Sequence, residues 1–230
     1  MINIYAFQTE KIEETIFGKL LQYLSIEKRD RIIRLRNIED AKMTLFGDVL
    51  VRIIVCNRFG IKNKDIVFDK NEYGKPFLKG FNNFHFNISH SGGWVVCATH
   101  SLPVGIDIEK VKQANLKIAE HFFSEYENND LTCKDSSEKL SYFYDLWTLK
   151  ESYIKAEGKG LFIPLNSFSI SINNSGITLK TAGGLKQCCF KQYSFQSDYK
   201  LAICGYEDNF SEEIIVKNLN NMELSLLGKI

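Results

Sequence analysis

The sequence has no Cys-x-x-Cys pair, no Gly-x-x-x-x-Gly-Lys-Ser/Thr loop, no apolar run of the roughly 20 residues that a bilayer span needs, and no excess of one charge. Each absence narrows the field. Six cysteines without ligand-pair spacing argue against a zinc site. Cys56, Cys97, Cys133, Cys188, Cys189 and Cys204 lie mostly in apolar stretches such as WVVCATH and LAICGY, and reduced, buried thiols are expected. A net charge of +1 gives no footprint for nucleic acid or a membrane surface. The N-terminus, MINIYAFQTEKIEE, has no signal-peptide pattern, so a cytoplasmic location is expected.

What is present is an ordinary globular composition over 230 residues, 44% hydrophobic and 25% charged. That length suits one large domain or two lobes. Apolar spacing predicts helices over Lys11–Leu24, Ile26–Arg36 and Glu39–Phe59, the last stopped by Gly60. Strands are expected at DIVFD, FHFNISH, WVVCATH and VGIDIEKV, with turns at NEYGKP and SGG. The second half repeats the order. Helices are expected over Leu116–Glu125 and Glu138–Glu157, the latter with Asp135 and Glu138 as a capping pair and Gly158 as its stop. A hairpin at SFSISINNSGITL and strands at FKQYSF and YKLAICGY follow. The expected fold is α+β: two similar lobes related by pseudo-twofold symmetry, 1–103 and 104–230, each a long helix packed on a small antiparallel sheet. No low-complexity linker separates them, so close packing is expected, and the doubled lobe implies a monomer.

Four stretches could carry chemistry. In VGIDIEKV, Asp107 and Glu109 stand two apart and share a strand face. Their mutual repulsion is met by a solvated face, by salt bridges or by a hard cation such as Mg²⁺. In LWTLKESYIKAEGKGL, Glu151 and Lys155 are four apart on a helix. They form a simple surface pair, or Glu151 is a third carboxylate beside the strand. Lys75 in YGKPF, with Ser89 and His90 in FNISHSGG, could present a cation, a hydroxyl and backbone amides to phosphate. Lys28, Arg29, Arg31, Arg34, Arg36 and Lys42 form a basic cluster, either a solvated helical face or a phosphate site.

In their order, YGKPF, FNISHSGGWVVCA, VGIDIEKV, HFFSEYE and FYDLWTLKESYIKAEGKGL resemble the surfactin-synthetase-activating type of 4′-phosphopantetheinyl transferase. The resemblance runs from about Lys28 beyond Tyr206, and the extra length before YGKPF resembles the monomeric two-lobed class. It implies transfer of phosphopantetheine from coenzyme A to a serine of an apo carrier protein, with Mg²⁺ or Mn²⁺. It places Asp107, Glu109 and Glu151 as metal ligands, with Glu151 and Lys155 as catalytic residues. It places Lys28, Arg31 and Thr44 near the 3′-phosphate and adenine. Tyr73, Gly74, Lys75, Pro76, Ser89 and His90 would hold the nucleotide and its phosphates, and Lys155 the pyrophosphate. Arg31 stands where a lysine also occurs in relatives, which keeps the charge but alters the donor geometry. The carrier is expected to dock near Gly158–Ile170, where Leu161, Phe162, Ile163 and Leu165 form an apolar run. A different Mg²⁺-dependent nucleotide enzyme and a non-catalytic coenzyme A binder are the competing readings.

Overall fold

In the computed structural model, residues 1–9, 14–181 and 187–217 are described. The first half runs β1 (Ile2–Gln8), α1 (Glu14–Leu21), α2 (Ile26–Ile33), α3 (Ile38–Phe59), β2 (Phe68–Lys70), β3 (Pro76–Leu78), β4 (His85–Ser91) and β5 (Trp94–His100). The second runs β6 (Val104–Lys110), α4 (Ala119–Phe122), α5 (Glu125–Cys133), α6 (Lys139–Glu157), β7 (Phe168–Asn173), β8 (Gly176–Thr181), β9 (Cys189–Tyr193), β10 (Tyr199–Gly205) and β11 (Phe210–Lys217).

The halves share one plan. The strand order β1-β5-β4 in one sheet is repeated as β6-β10-β9 in the other. Both long helices end on a glycine in the left-handed region, Gly60 (φ 68°) and Gly158 (φ 73°). There each cap amide donates back to a carbonyl, Cys56 O and Ile154 O, that the helix would otherwise leave open.

Strand alternation sorts the side chains into layers. Ile2, Ile4 and Ala6 of β1, with Trp94, Val96 and Ala98 of β5, pack on Val104, Ile106 and Ile108 of β6 and Leu201 and Ile203 of β10. This apolar layer joins the two sheets face to face. Phe7 and the half-buried Tyr5, on the opposite face of β1, pack with Phe46, Val49 and Leu50 in the core under α3. Ala202 and Cys204 pack with Leu146, Leu149 and Ile154 under α6. The order is therefore helices, sheet, sheet, helices, with the halves joined through their sheets.

Several expectations need correction. β1 and β11 were not anticipated. They pair in parallel, so the first sheet is β11-β1-β5-β4 and is mixed rather than antiparallel. Through β11 the chain's last described strand joins the first half's sheet. The single helix expected over Leu116–Glu125 is broken at Phe123, because Ser124 caps a new helix, α5. Its hydroxyl accepts the Glu127 amide while the Glu127 carboxylate accepts the Ser124 amide. At the start of α6, no side-chain cap forms at Glu138; the Asp135 carbonyl accepts the Glu138 and Lys139 amides instead. Among the described residues, no helix is long and apolar enough to cross a membrane.

Candidate active site

The site begins with a missing side chain. Gly105, Asp107 and Glu109 occupy the face of β6 turned toward α6. A Cβ on Gly105 would lie 1.9 Å from the Ser152 carbonyl oxygen and 2.4 Å from the Ala156 nitrogen. The glycine therefore lets the helix lie directly on the strand. This close approach brings Lys155 of α6 to Asp107 of β6, with the Lys155 Nζ 2.5 Å from Asp107 Oδ1.

The carboxylates interact. Asp107 is 3% exposed, and its Oδ2 is buried without a hydrogen-bond partner. Glu109 is pushed above the usual carboxylate range, first by burial and then by the Asp107 charge, with a further push from Glu151. The Ser91 hydroxyl and Lys155 oppose that shift. Glu151 is also raised, mainly by burial; Lys155 lowers it and Asp107 raises it. The expected trio thus shares one electrostatic neighbourhood. It does not form a ready-made cage: among the described residues, no group of three or more His, Cys, Asp or Glu is gathered to hold a metal. Mg²⁺ does not need one, since it commonly takes one or two carboxylates and completes its shell with waters and substrate phosphates. The orphaned Asp107 oxygen, with no donor in reach, fits such a shared shell.

β4 supplies the other wall. Ser89 donates to Asp107 Oδ1 (2.8 Å) and accepts from Lys155 Nζ (3.0 Å). His90, on the outward face of β4, lies within electrostatic reach of Lys155, Asp40 and Asp107. Ser89 therefore belongs to the same cleft as the acidic group, whereas His90, next to it on β4, is exposed on the opposite strand face.

Lys75 is placed differently from the expectation. Its ammonium donates to three backbone carbonyls, those of Val104 (3.1 Å), Lys155 (2.5 Å) and Ala156 (3.3 Å). Desolvation lowers its pKa to about 8. Here it clamps the last turn of α6, rather than presenting a free cation to phosphate. Asn71 reinforces the clamp: its amide donates to the Gly158 carbonyl (2.9 Å) and its oxygen accepts the Tyr73 and Lys75 amides. Gly74 (φ 89°) turns the chain and Pro76 opens β3. The Tyr73 ring meets Phe162 edge-on, with centroids 5.2 Å apart.

Lys28 and Arg31 lie on α2 and Thr44 on α3. Lys28 pairs with Asp48 (3.1 Å), and Thr44 is half-buried. Arg31 is exposed, at an open cavity of about 460 Å³ shared with Glu27, Asp30, Arg34 and Leu35. The apolar run after α6 divides in two. Leu165 is buried, whereas Leu161 and Phe162 are 75% and 76% exposed. A larger cavity, about 580 Å³, opens beside Glu109 and is walled by Ile118, Phe143, Tyr144 and Trp147.

Other groups were not anticipated. Lys150, next to Glu151, is fully buried and donates to both carboxylate oxygens of Glu127 (2.7 and 2.6 Å) and to the Phe168 carbonyl (2.8 Å). This pair fixes α6 on α5 and β7. Asn87 and Ser91 also reach β6. The polar residues at alternate places in FNISHSGG were the available clue, as was a glycine inside the apolar strand VGIDIEKV.

Comparison with known proteins identifies the family. The family model described as the 4′-phosphopantetheinyl transferase superfamily matches residues 103–204. The model described as 4′-phosphopantetheinyl transferase, N-terminal, matches residues 11–102. The chain is 45% identical over 197 residues to the 4′-phosphopantetheinyl transferase Sfp of Bacillus subtilis, covering 85% of this chain and 88% of that one. It is 36% identical over 234 residues to the 4′-phosphopantetheinyl transferase psf-1 of Bacillus pumilus, covering all of both. The chain belongs to the 4′-phosphopantetheinyl transferases. It is an enzyme with phosphopantetheinyl transferase activity.

Proposed function

We propose that the enzyme transfers 4′-phosphopantetheine from coenzyme A to a serine hydroxyl of an apo acyl or peptidyl carrier protein, releasing adenosine 3′,5′-bisphosphate, with Mg²⁺ or Mn²⁺ at Asp107, Glu109 and Glu151. The observation that carries this reading is the buried, unpartnered Asp107 Oδ2, in a carboxylate whose other oxygen pairs with Lys155 and whose charge helps raise the pKa of Glu109 and Glu151. A bound divalent ion would supply charge neutralisation at the pyrophosphate.

The chain's own groups do the rest. The carrier serine oxygen forms a bond to the β-phosphorus, and the bond from that phosphorus to the bridging oxygen breaks. Glu151 takes the serine proton, directly or through water. Lys155 offers its charge to the leaving phosphate. Positioning and electrostatics carry most of such a transfer. Lys28, Arg31 and Thr44 serve the 3′-phosphate and adenine end. Tyr73, Gly74 and Pro76 border the nucleotide, Ser89 and His90 its phosphates, and Lys75 holds the end of α6 that carries Lys155. The exposed Leu161 and Phe162 offer the carrier an apolar contact. Both walls of the cleft come from one chain, which suits a monomer.

The test is to incubate the enzyme with coenzyme A, Mg²⁺ and an apo carrier protein and weigh the carrier. A gain of one phosphopantetheine, abolished by EDTA, is expected. No gain, or a gain indifferent to EDTA, would overturn the reading.

A further inference from the structure

β4 and β6 are edge strands of different sheets, and they meet without a backbone ladder. In an antiparallel strand alternate amides point to the same edge, so the amides of Ile106, Ile108 and Lys110 would all lack partners on that side. Side chains of β4 supply them. Asn87 Oδ1 accepts the Ile106 amide (2.9 Å), Ser89 Oγ the Ile108 amide (3.4 Å), and Ser91 Oγ the Lys110 amide (3.0 Å). Two of these three rungs do more. The Ser89 hydroxyl also donates to Asp107, and the Ser91 hydroxyl donates to Glu109 Oε2 at 2.8 Å. One oxygen thus accepts from the β6 backbone and donates to the neighbouring β6 carboxylate. That double bond pattern fixes the carboxylate relative to its own strand.

We propose that Ser91 is a positioning residue for the divalent-ion site: it orients Glu109, and through the β4 ladder it ties ion binding to the seam between the halves. The proposal rests on the reading that Asp107, Glu109 and Glu151 hold the ion. Ser89 faces Lys155 and the phosphate cleft, so its role is not separable by substitution. Ser91 is separable, because among the described residues its oxygen hydrogen-bonds the Lys110 amide and Glu109 and not Lys155. It lies two residues beyond Ser89, where β4 turns through Gly92 (φ 56°). Hydrogen-bonding partners that orient metal ligands typically contribute 10–100-fold in metal affinity.

The experiment measures Mn²⁺ affinity in the presence of coenzyme A, from the paramagnetic resonance signal of free Mn²⁺. Wild type, Ser91→Ala, Ser91→Thr and Asp107→Asn are compared, and melting midpoints are recorded without Mn²⁺. Ser91→Ala is expected to bind Mn²⁺ about 10-fold or more weakly, and Ser91→Thr, which keeps a hydroxyl, to recover most of the loss. Wild-type affinity in Ser91→Ala would overturn the proposal, whatever its melting midpoint. Equal weakening in the alanine and threonine variants would overturn it too, because the hydroxyl would not be the cause. If Asp107→Asn binds Mn²⁺ as wild type does, or if wild type does not bind it, the ion site itself is wrong and the proposal falls with it. Loss in Asp107→Asn with no loss in Ser91→Ala removes Ser91 alone and leaves the ion site standing.

Discussion

The two halves use the same positions for opposite purposes. Tyr5 of β1 faces Cys97 of β5 as Asp107 of β6 faces Ala202 of β10, and Phe7 corresponds in the same way to Glu109. Seven residues before the capping glycine, α3 has Ile53 where α6 has Glu151. Three residues before it, Asn57 answers to Lys155. Where β6 has Gly105, β1 has Asn3, and a cavity of about 450 Å³ is walled there by Asn3, Tyr5, Ile53, Ile54 and Asn57. So at matching positions the first half carries Tyr5, Phe7, Ile53 and Asn57 where the second carries three carboxylates and a lysine, and the charges lining the first half's cavity, Arg58 and Lys217, come from other positions.

One charge is common to both. Eight residues before each cap stands a buried cation: Arg52, paired with Asp48 (2.7 Å) and Asn63 (3.1 Å), and Lys150, paired with Glu127. The comparison separates two kinds of buried charge. Arg52 and Lys150 are satisfied and hold helices in place. Asp107, Glu109 and Glu151 have no counterpart in the first half, so the shared fold does not require them. Their burial raises two pKa values and leaves an oxygen unpartnered, a cost that chemistry explains and packing does not.

Making the second half resemble the first should break catalysis most severely. Glu151→Ile, which copies Ile53, and Asp107→Ala are expected to cut transfer by about 10²–10³-fold or more, measured by carrier mass against time. The Glu151→Ile protein should still fold cooperatively. Its pH profile should change as well. A carboxyl whose folded pKa is raised binds more protons folded than unfolded, so stability falls as pH rises from the unfolded value of about 4.5 through the folded one. Glu109 and Glu151 both contribute that fall. Removing Glu151 should flatten it, as read by melting midpoints from pH 4 to 8.

The shared charge should break differently. Glu127→Ala leaves Lys150 buried without its carboxylate and is expected to cost about 3–5 kcal/mol of stability by denaturant unfolding. Gly105→Ala attacks the close approach itself. It should cost about 1–3 kcal/mol as α6 is pushed off β6, with a larger fractional loss of kcat, because Glu151 and Lys155 ride on that helix. The smallest effect is expected at the surface. Leu161→Ser with Phe162→Ser should raise KM for the carrier severalfold while stability stays within about 0.5 kcal/mol.

Much of this was legible in the sequence because it is local. The αL caps at Gly60 and Gly158, the alternation in VGIDIEKV and the apolar spacing of α3 each need only a few neighbouring residues. What escaped is long-range. The parallel pairing of β1 with β11 joins the two ends of the described chain, and no local pattern announces it. The role of Lys75 depends on where α6 ends in space, since a lysine before a proline reads equally well as a phosphate ligand or a clamp. Gly105 explains itself only once the Ser152 carbonyl is seen 1.9 Å from its absent Cβ. The acidic pair was conspicuous and Ser89 was singled out as a phosphate contact, but its bond to Asp107 and the bond from Ser91 to Glu109 depend on where β4 meets β6.

The most direct measurement of the central claim weighs an apo carrier protein after incubation with coenzyme A and Mg²⁺, using wild type and Asp107→Ala side by side at matched concentration. The expected result is a phosphopantetheine mass gain with the wild type and none over the same interval with the variant. A gain at equal rates in both would contradict the account, because the buried oxygen that motivates the ion site would then have no part in the transfer.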